Sequence, residues 1–140
     1  DKYDYILIDC SPSLNLVTIN VLTASDSVII PVEASYLSMT GLQQLLASIG
    51  STKRKLNRKL EVEGIVINKV NTRTNHEKDI IGKLREAYGG QIKIFDVMIP
   101  ESVRAKECTA FGVSIYKHDG KGKVAKSFEE LTREVMEHGC

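Results

Sequence analysis

VEGIVINKVNTRTNHEKDIIGKLREAYGG, residues 62–90, spells out one strand-to-helix unit. Val62–Val70 is short and rich in β-branched residues, which suits a strand. Thr74-Asn-His-Glu77 fits a capping box, in which the Thr hydroxyl and the Glu carboxylate satisfy the free N–H groups of a helix start. Ile80, Ile81, Leu84 and Tyr88 then recur at helical spacing and give that helix one apolar face. Gly89-Gly90 stops it.

The same alternation extends in both directions. Upstream, Tyr3–Ile8 reads as a buried strand, Leu14–Ala24 as a buried helix and Ser27–Val32 as a second strand. Tyr36–Gly50 reads as a helix through Leu42, Leu45, Leu46 and Ile49. Lys53–Lys59 carries five Lys/Arg in seven residues and is expected to be a solvated loop. Downstream, Ile92–Ile99 reads as a fourth strand ended by Pro100, with a short helix over Ser102–Cys108. Lys121–His138 is expected to be a terminal helix that packs Val124, Phe128, Leu131 and Val135 on the sheet. Strands alternating with helices predict an α/β fold: a mostly parallel β-sheet flanked by helices, in a single domain over residues 1–140.

Composition narrows the function classes. Hydrophobic residues make up 42% and charged residues 26% of 140, so a packed core is within reach. The net charge of +1 creates no global field toward nucleic acid, though a local basic patch remains compatible with it. No apolar run approaches the ~20 residues that span a bilayer. Cys10, Cys108 and Cys140 are widely spaced, as are His76, His118 and His138. The cysteines are expected to be reduced thiols of a cytoplasmic protein, and a His/Cys metal site has no motif behind it. The chain opens on Asp1 with a strand expected almost at once, so it reads as a piece of something longer with no signal peptide.

In open parallel sheets, ligands bind beyond the carboxyl ends of the strands. There the expected strands deliver Asp9-Cys10-Ser11-Pro12-Ser13, Pro31-Val32-Glu33, Asn68-Lys69-Val70-Asn71 and Pro100-Glu101-Ser102. An acid ending an apolar strand is the Walker B arrangement, in which a carboxylate reaches Mg²⁺, often through water. Its usual companion, G-x-x-x-x-G-K-[ST], is not found in these residues. Gly82-Lys83, Gly120-Lys121 and Gly122-Lys123 all lack both the earlier Gly and the following Ser or Thr.

The stretch YDYILIDCSPSLNLVTINVLTASDSVIIPVEASYLSMTGLQQLL, followed by EGIVINKVNTRTN and VMIPESVRAKECTAFGVSI, closely resembles the ParA/Soj family of chromosome- and plasmid-partitioning ATPases, in order and in spacing. The resemblance implies a P-loop NTPase-like fold whose deviant Walker A loop lies upstream of these residues. It implies that Asp9 is the Walker B aspartate that organises Mg²⁺, and that Ser11, Pro12 and Ser13 form the switch segment that responds to the γ-phosphate of ATP. It implies that Asn68 faces the adenine and that Pro100, Glu101 and Val103 pack around base and ribose. Arg73 and Arg104 match positions through which ATP-bound dimers of the family hold DNA without sequence preference. ATP and Mg²⁺ are the implied cofactors. A homodimer, DNA and a ParB-like activator are the implied partners, and the cytoplasm, on the nucleoid, is the implied location. These residues alone are expected neither to hydrolyse ATP nor to hold ATP and Mg²⁺ tightly.

The chain also departs from the family pattern. Ser11 stands where a second proline is usual, Glu101 where an arginine is usual, and Cys108-Thr109 where Ala-Pro is usual. Glu101 removes a positive charge from the face implied to meet DNA. Glu129, Glu130, Glu134 and Glu137 on the terminal helix would be repelled by anionic lipid, so no membrane contact is expected of it. Two other readings fit the residues. One is a receiver-like domain phosphorylated at Asp9, with Lys69 as its strand-end lysine. The other is a non-enzymatic fragment that serves as a DNA or partner surface.

Overall fold

β2, Glu61–Val70, is the middle strand of a three-stranded parallel sheet in the order β1-β2-β3, with β1 at Ser27–Glu33 and β3 at Ile94–Pro100. The computed structural model describes residues 2–10, 15–71 and 74–138. Alternate side chains of β2 enter opposite layers. Ile65 and Ile67 join Ile30, Val32, Leu42, Ile49 and Leu84 on one face. Val66 joins Phe95, Ile99 and Val124 on the other. Burial on both faces explains the unbroken Ile65-Val66-Ile67 run, as expected where helices cover both sides of a parallel sheet.

The first layer is built by α1 (Leu16–Ala24), α2 (Tyr36–Lys55) and α3 (Asn75–Tyr88), which supply Leu22, Leu42 and Ile49, and Leu84. The second is built by α4 (Val103–Phe111), α5 (Ile115–Asp119) and α6 (Lys123–His138), which supply Ala105, Ile115 and Val124. The α/β class and its parallel sheet are thus as the sequence predicts. Several local expectations are corrected.

Tyr3–Ile8 is not a strand. It has no regular secondary structure and pairs with no strand, with Ile6 82% and Leu7 93% exposed. A strand needs a neighbour for its N–H and C=O groups, and among the described residues none lies beside it. The segment Lys53–Lys59 is only partly loop. α2 runs through Gly50 to Lys55 because Ile49 and Thr52 are buried at 2% and 6%. Its last turn holds Lys53, Arg54 and Lys55, cations that suit the negative end of the helix dipole. The remainder is pinned by Asn57, whose Nδ2 donates to the carbonyls of Leu22 at 3.0 Å and Ser25 at 2.7 Å. That ties the end of α1 to the turn before β2.

The capping box of α3 is half made. Glu77 N–H donates to Thr74 Oγ1 at 3.4 Å, but the Glu77 carboxylate accepts from the Asn71 N–H at 2.6 Å, reaching back across the loop. α5 was not legible in the sequence, because five residues carry no periodicity; its Ser114 cap accepts from Lys117 N–H at 3.3 Å. On α6, Val124, Leu131 and Val135 pack on the second layer as expected, Ala125 beside them is fully buried, and Phe128 departs from the expected stripe by remaining 38% exposed.

The outer edge of β3 is covered by a side chain. The Glu134 carboxylate of α6 accepts from the Asp96 N–H at 3.2 Å and the Val97 N–H at 3.4 Å, with Lys93 Nζ 3.3 Å away. Partial burial pushes this carboxyl up, but the two N–H donors and Lys93 together outweigh it and hold the group below its ordinary value. Its contribution is therefore present above the unfolded carboxyl's titration and lost as pH falls through the folded one. Glu134→Gln is expected to cost about 1–2 kcal/mol at neutral pH, as for hydrogen bonds to a charged acceptor. Urea titrations should find the gap between variant and parent closing as pH drops below about 4. A gap that does not vary with pH would mean that the carboxylate charge is not what covers the edge.

Candidate functional site at the carboxyl ends of the strands

Strand register sets which residues meet at this edge. Glu33 of β1 sits beside Asn68 of β2, and Val70 of β2 sits beside Pro100 of β3. The Glu101 N–H donates to the Val70 carbonyl at 3.1 Å, so the turn into α4 is stitched to the end of the middle strand. Asn68 is half-buried, and its carboxamide oxygen accepts from the Lys69 N–H at 2.9 Å. That bond fixes the side chain against the strand end.

Lys69 has φ 54°, in the left-handed region that a side chain with a Cβ adopts only against strain. Strain of this type gathers at functional positions, and here it turns Lys69 toward the neighbouring strand. Lys69 Nζ lies 2.5 Å from Glu33 Oε1. The hydrogen bond and charge of Glu33, with a further pull from Glu101, raise the Lys69 ammonium above its ordinary value. Glu101 in turn pairs with Lys106 Nζ at 2.7 Å, which holds its carboxyl below the usual range. The result is an alternating row, Glu33–Lys69–Glu101–Lys106, across the ends of all three strands. All four groups are exposed enough for water and salt to screen the row, so it orders the edge more than it stabilises the fold. Sequence reading placed Glu33, Lys69 and Glu101 at the strand ends but missed Lys106, and it could not pair them, because the pairing depends on strand order and helix placement.

Of the other residues singled out from the sequence, Pro100 is half-buried at the end of β3. Val103, the first residue of α4, is 70% exposed and leaves an apolar surface beside Pro100. Arg104 projects from α4 with Nη1 3.5 Å from Glu107 Oε2. Asp9 is exposed on the unpaired N-terminal segment and is not brought to this row. Ser11, Pro12, Ser13 and Arg73 lie outside the described residues. Cys10 is exposed and Cys108 buried, both as free thiols, and Cys108 Sγ donates to the Arg104 carbonyl at 3.2 Å. Among the described residues no three His, Cys, Asp or Glu side chains gather as a metal site, and no helix is long and apolar enough to cross a membrane.

An AAA domain family model, AAA_31, matches residues 1–62. The chromosome partitioning protein ParA of Myxococcus xanthus is 41% identical over 96% of the chain and 47% of its own length. The sporulation initiation inhibitor protein Soj of Bacillus subtilis is 39% identical over 99% of the chain and 54% of its own length. The chain belongs to the ParA/Soj family. It spans about half the length of these curated ParA/Soj relatives. Among solved structures, apo McdA from Cyanothece superposes with TM-score 0.71 at 22% identity, over 84% of the chain and 47% of that protein, a likeness of fold. Cobyrinic acid a,c-diamide synthase from Mycobacterium smegmatis, solved with ADP and magnesium, superposes with TM-score 0.60 at 30% identity, over 67% of the chain and 38% of that protein. The parallel sheet with helices on both faces is therefore that of P-loop NTPases, and the row of charges sits at the edge where such folds bind ligands.

Proposed function

We propose that this chain is the C-terminal part of a Mg-ATP-dependent partitioning ATPase, forming a single domain with upstream residues that carry the phosphate-binding loop. Identity of 41% to a chromosome partitioning protein over 96% of the chain carries this reading. Asp9 follows four apolar residues, and its hard oxygen donor suits Mg²⁺, which takes one or two carboxylates, waters and substrate phosphates. Bound there, the ion would neutralise phosphate charge during hydrolysis. The chain's own residues then bind and sense. Ser11, Pro12 and Ser13 follow the carboxylate closely enough to respond to the terminal phosphate. Asn68, Pro100, Glu101 and Val103 form the nucleotide-base side, where exposed Val103 and half-buried Pro100 offer apolar contact.

ATP would drive homodimerisation, and the dimer would hold DNA through Arg73 and Arg104 until a ParB-like partner stimulates hydrolysis. The protein would accordingly work in the cytoplasm, on the nucleoid. These residues alone, without a phosphate loop, would not turn over ATP. The test uses the full-length protein and a labelled duplex of arbitrary sequence. Affinity is expected to rise with ATP and Mg²⁺, and to fall for Arg73→Ala plus Arg104→Ala, with the salt dependence flattening by about one unit of log–log slope per lost phosphate contact. A DNA affinity indifferent to ATP would overturn the partitioning reading. Unchanged binding by the double variant would overturn the arginine surface.

A further inference from the structure

We infer that Glu107 is a positioning residue for Arg104, a fixed negative charge that restrains the guanidinium and lowers the affinity of this surface for a polyanionic backbone. The inference rests on the reading above that Arg104 meets DNA phosphate.

One oxygen carries the argument. Glu107 Oε2 lies 2.9 Å from His118 Nε2 and 3.5 Å from Arg104 Nη1. The two contacts differ in kind. His118 comes from α5, its side chain is only 19% exposed, and its ring lies 5.7 Å from that of Phe111. Arg104 is 62% exposed and sits one helical turn before Glu107 on the same helix. The covered imidazole therefore anchors the carboxylate, and the carboxylate restrains the arginine. α5 reaches this position through Gly112, whose φ of 61° ends α4 in a left-handed turn and brings the chain back over it. The hydrogen bond from His118, followed by the Arg104 charge, holds the Glu107 carboxyl below its ordinary value, so it stays ionised at neutral pH.

A phosphate approaching Arg104 thus meets a guanidinium already engaged and a carboxylate that repels it. Both effects weaken binding without touching the contact itself. A protein that must release DNA repeatedly benefits from such a brake, because related complexes differ mainly in how fast they dissociate.

The experiment compares variants of the full-length protein with ATP and Mg²⁺, using a labelled duplex of arbitrary sequence and fluorescence anisotropy across a salt series. Glu107→Gln keeps an amide oxygen for His118, so α5 stays tethered while the charge is lost. It is expected to tighten binding about two- to fivefold at low salt, the range for releasing an exposed ion pair, and to steepen the salt dependence. The gain should vanish when Arg104→Ala is added. Glu86→Gln on α3, an exposed site in the opposite helical layer, changes net charge equally and should give no such gain. If Arg104→Ala weakens binding but Glu107→Gln changes neither affinity nor slope, this inference fails and the DNA reading stands. A gain that survives in the double variant, or appears equally in Glu86→Gln, overturns it as a general charge effect. If Arg104→Ala itself has no effect, the underlying assignment of Arg104 fails instead.

Discussion

Asp9→Asn in the full-length protein is expected to lower ATP turnover about 100-fold or more, while leaving the helical circular dichroism unchanged. The magnitude follows from the role proposed for the carboxylate. An ion that offsets charge developing on phosphate stabilises the transition state by several kcal/mol, and misplacing one fixed electrostatic group at such a site costs about 10²–10³ in rate. Asparagine keeps the shape and one oxygen but loses the charge that draws Mg²⁺ and its waters. Because Asp9 is exposed and outside the sheet, its loss is not expected to disturb the core. Turnover should be measured against Mg²⁺ concentration. A variant whose defect is repaired by excess Mg²⁺ has lost ion affinity, and one that stays slow has lost ion geometry. Unaltered turnover at every Mg²⁺ concentration would remove Asp9 from the proposed site.

Phe95→Ala is expected to cost about 3–5 kcal/mol of unfolding free energy, a large share of the 5–15 kcal/mol typical of a domain. Phe95 is 1% exposed and anchors the layer formed with Val66, Ile99 and Val124. Its ring occupies the space left by a neighbour without a side chain: a Cβ on Gly64 would lie 2.8 Å from Phe95 Cε2 and 3.0 Å from the Lys93 carbonyl. Lys93 Nζ sits 4.7 Å from the ring centroid, so the ring is bounded on that side too. Gly64→Ala attacks the same contact by overfilling it, with an expected cost of about 1–3 kcal/mol. Urea denaturation followed by circular dichroism measures both. A loss below about 1 kcal/mol for Phe95→Ala would mean that the ring does not pack as a core side chain.

The departures from expectation share a cause. Gly50 and the basic run after it look locally like a helix end, yet the helix continues because Ile49 and Thr52 are still against the core. Phe128 shares the helical spacing of Val124, Leu131 and Val135, yet it stays 38% exposed while they pack on the second layer, because periodicity names a face and not how deeply each side chain on it is covered. Tyr3–Ile8 has the composition of a buried strand, and composition cannot say whether a partner is present. Glu77 has the spacing of a reciprocal cap, yet its carboxylate accepts from the Asn71 N–H instead of that of Thr74.

By itself the sequence determined the α/β class, the three paired strands, the long helices and the ParA/Soj family. Apolar periods of two and 3.6 and the chemistry of helix ends are local and survive in one dimension. Only the tertiary structure decided the pairing of Lys69 with Glu33, the cover that Glu134 lays over the edge of β3 and the hold of His118 on Glu107. Those partners are 36, 38 and 11 residues apart. Charged groups at such separations meet only after hydrophobic burial has set strand order and helix placement, and no local pattern records which of many exposed charges will then be neighbours.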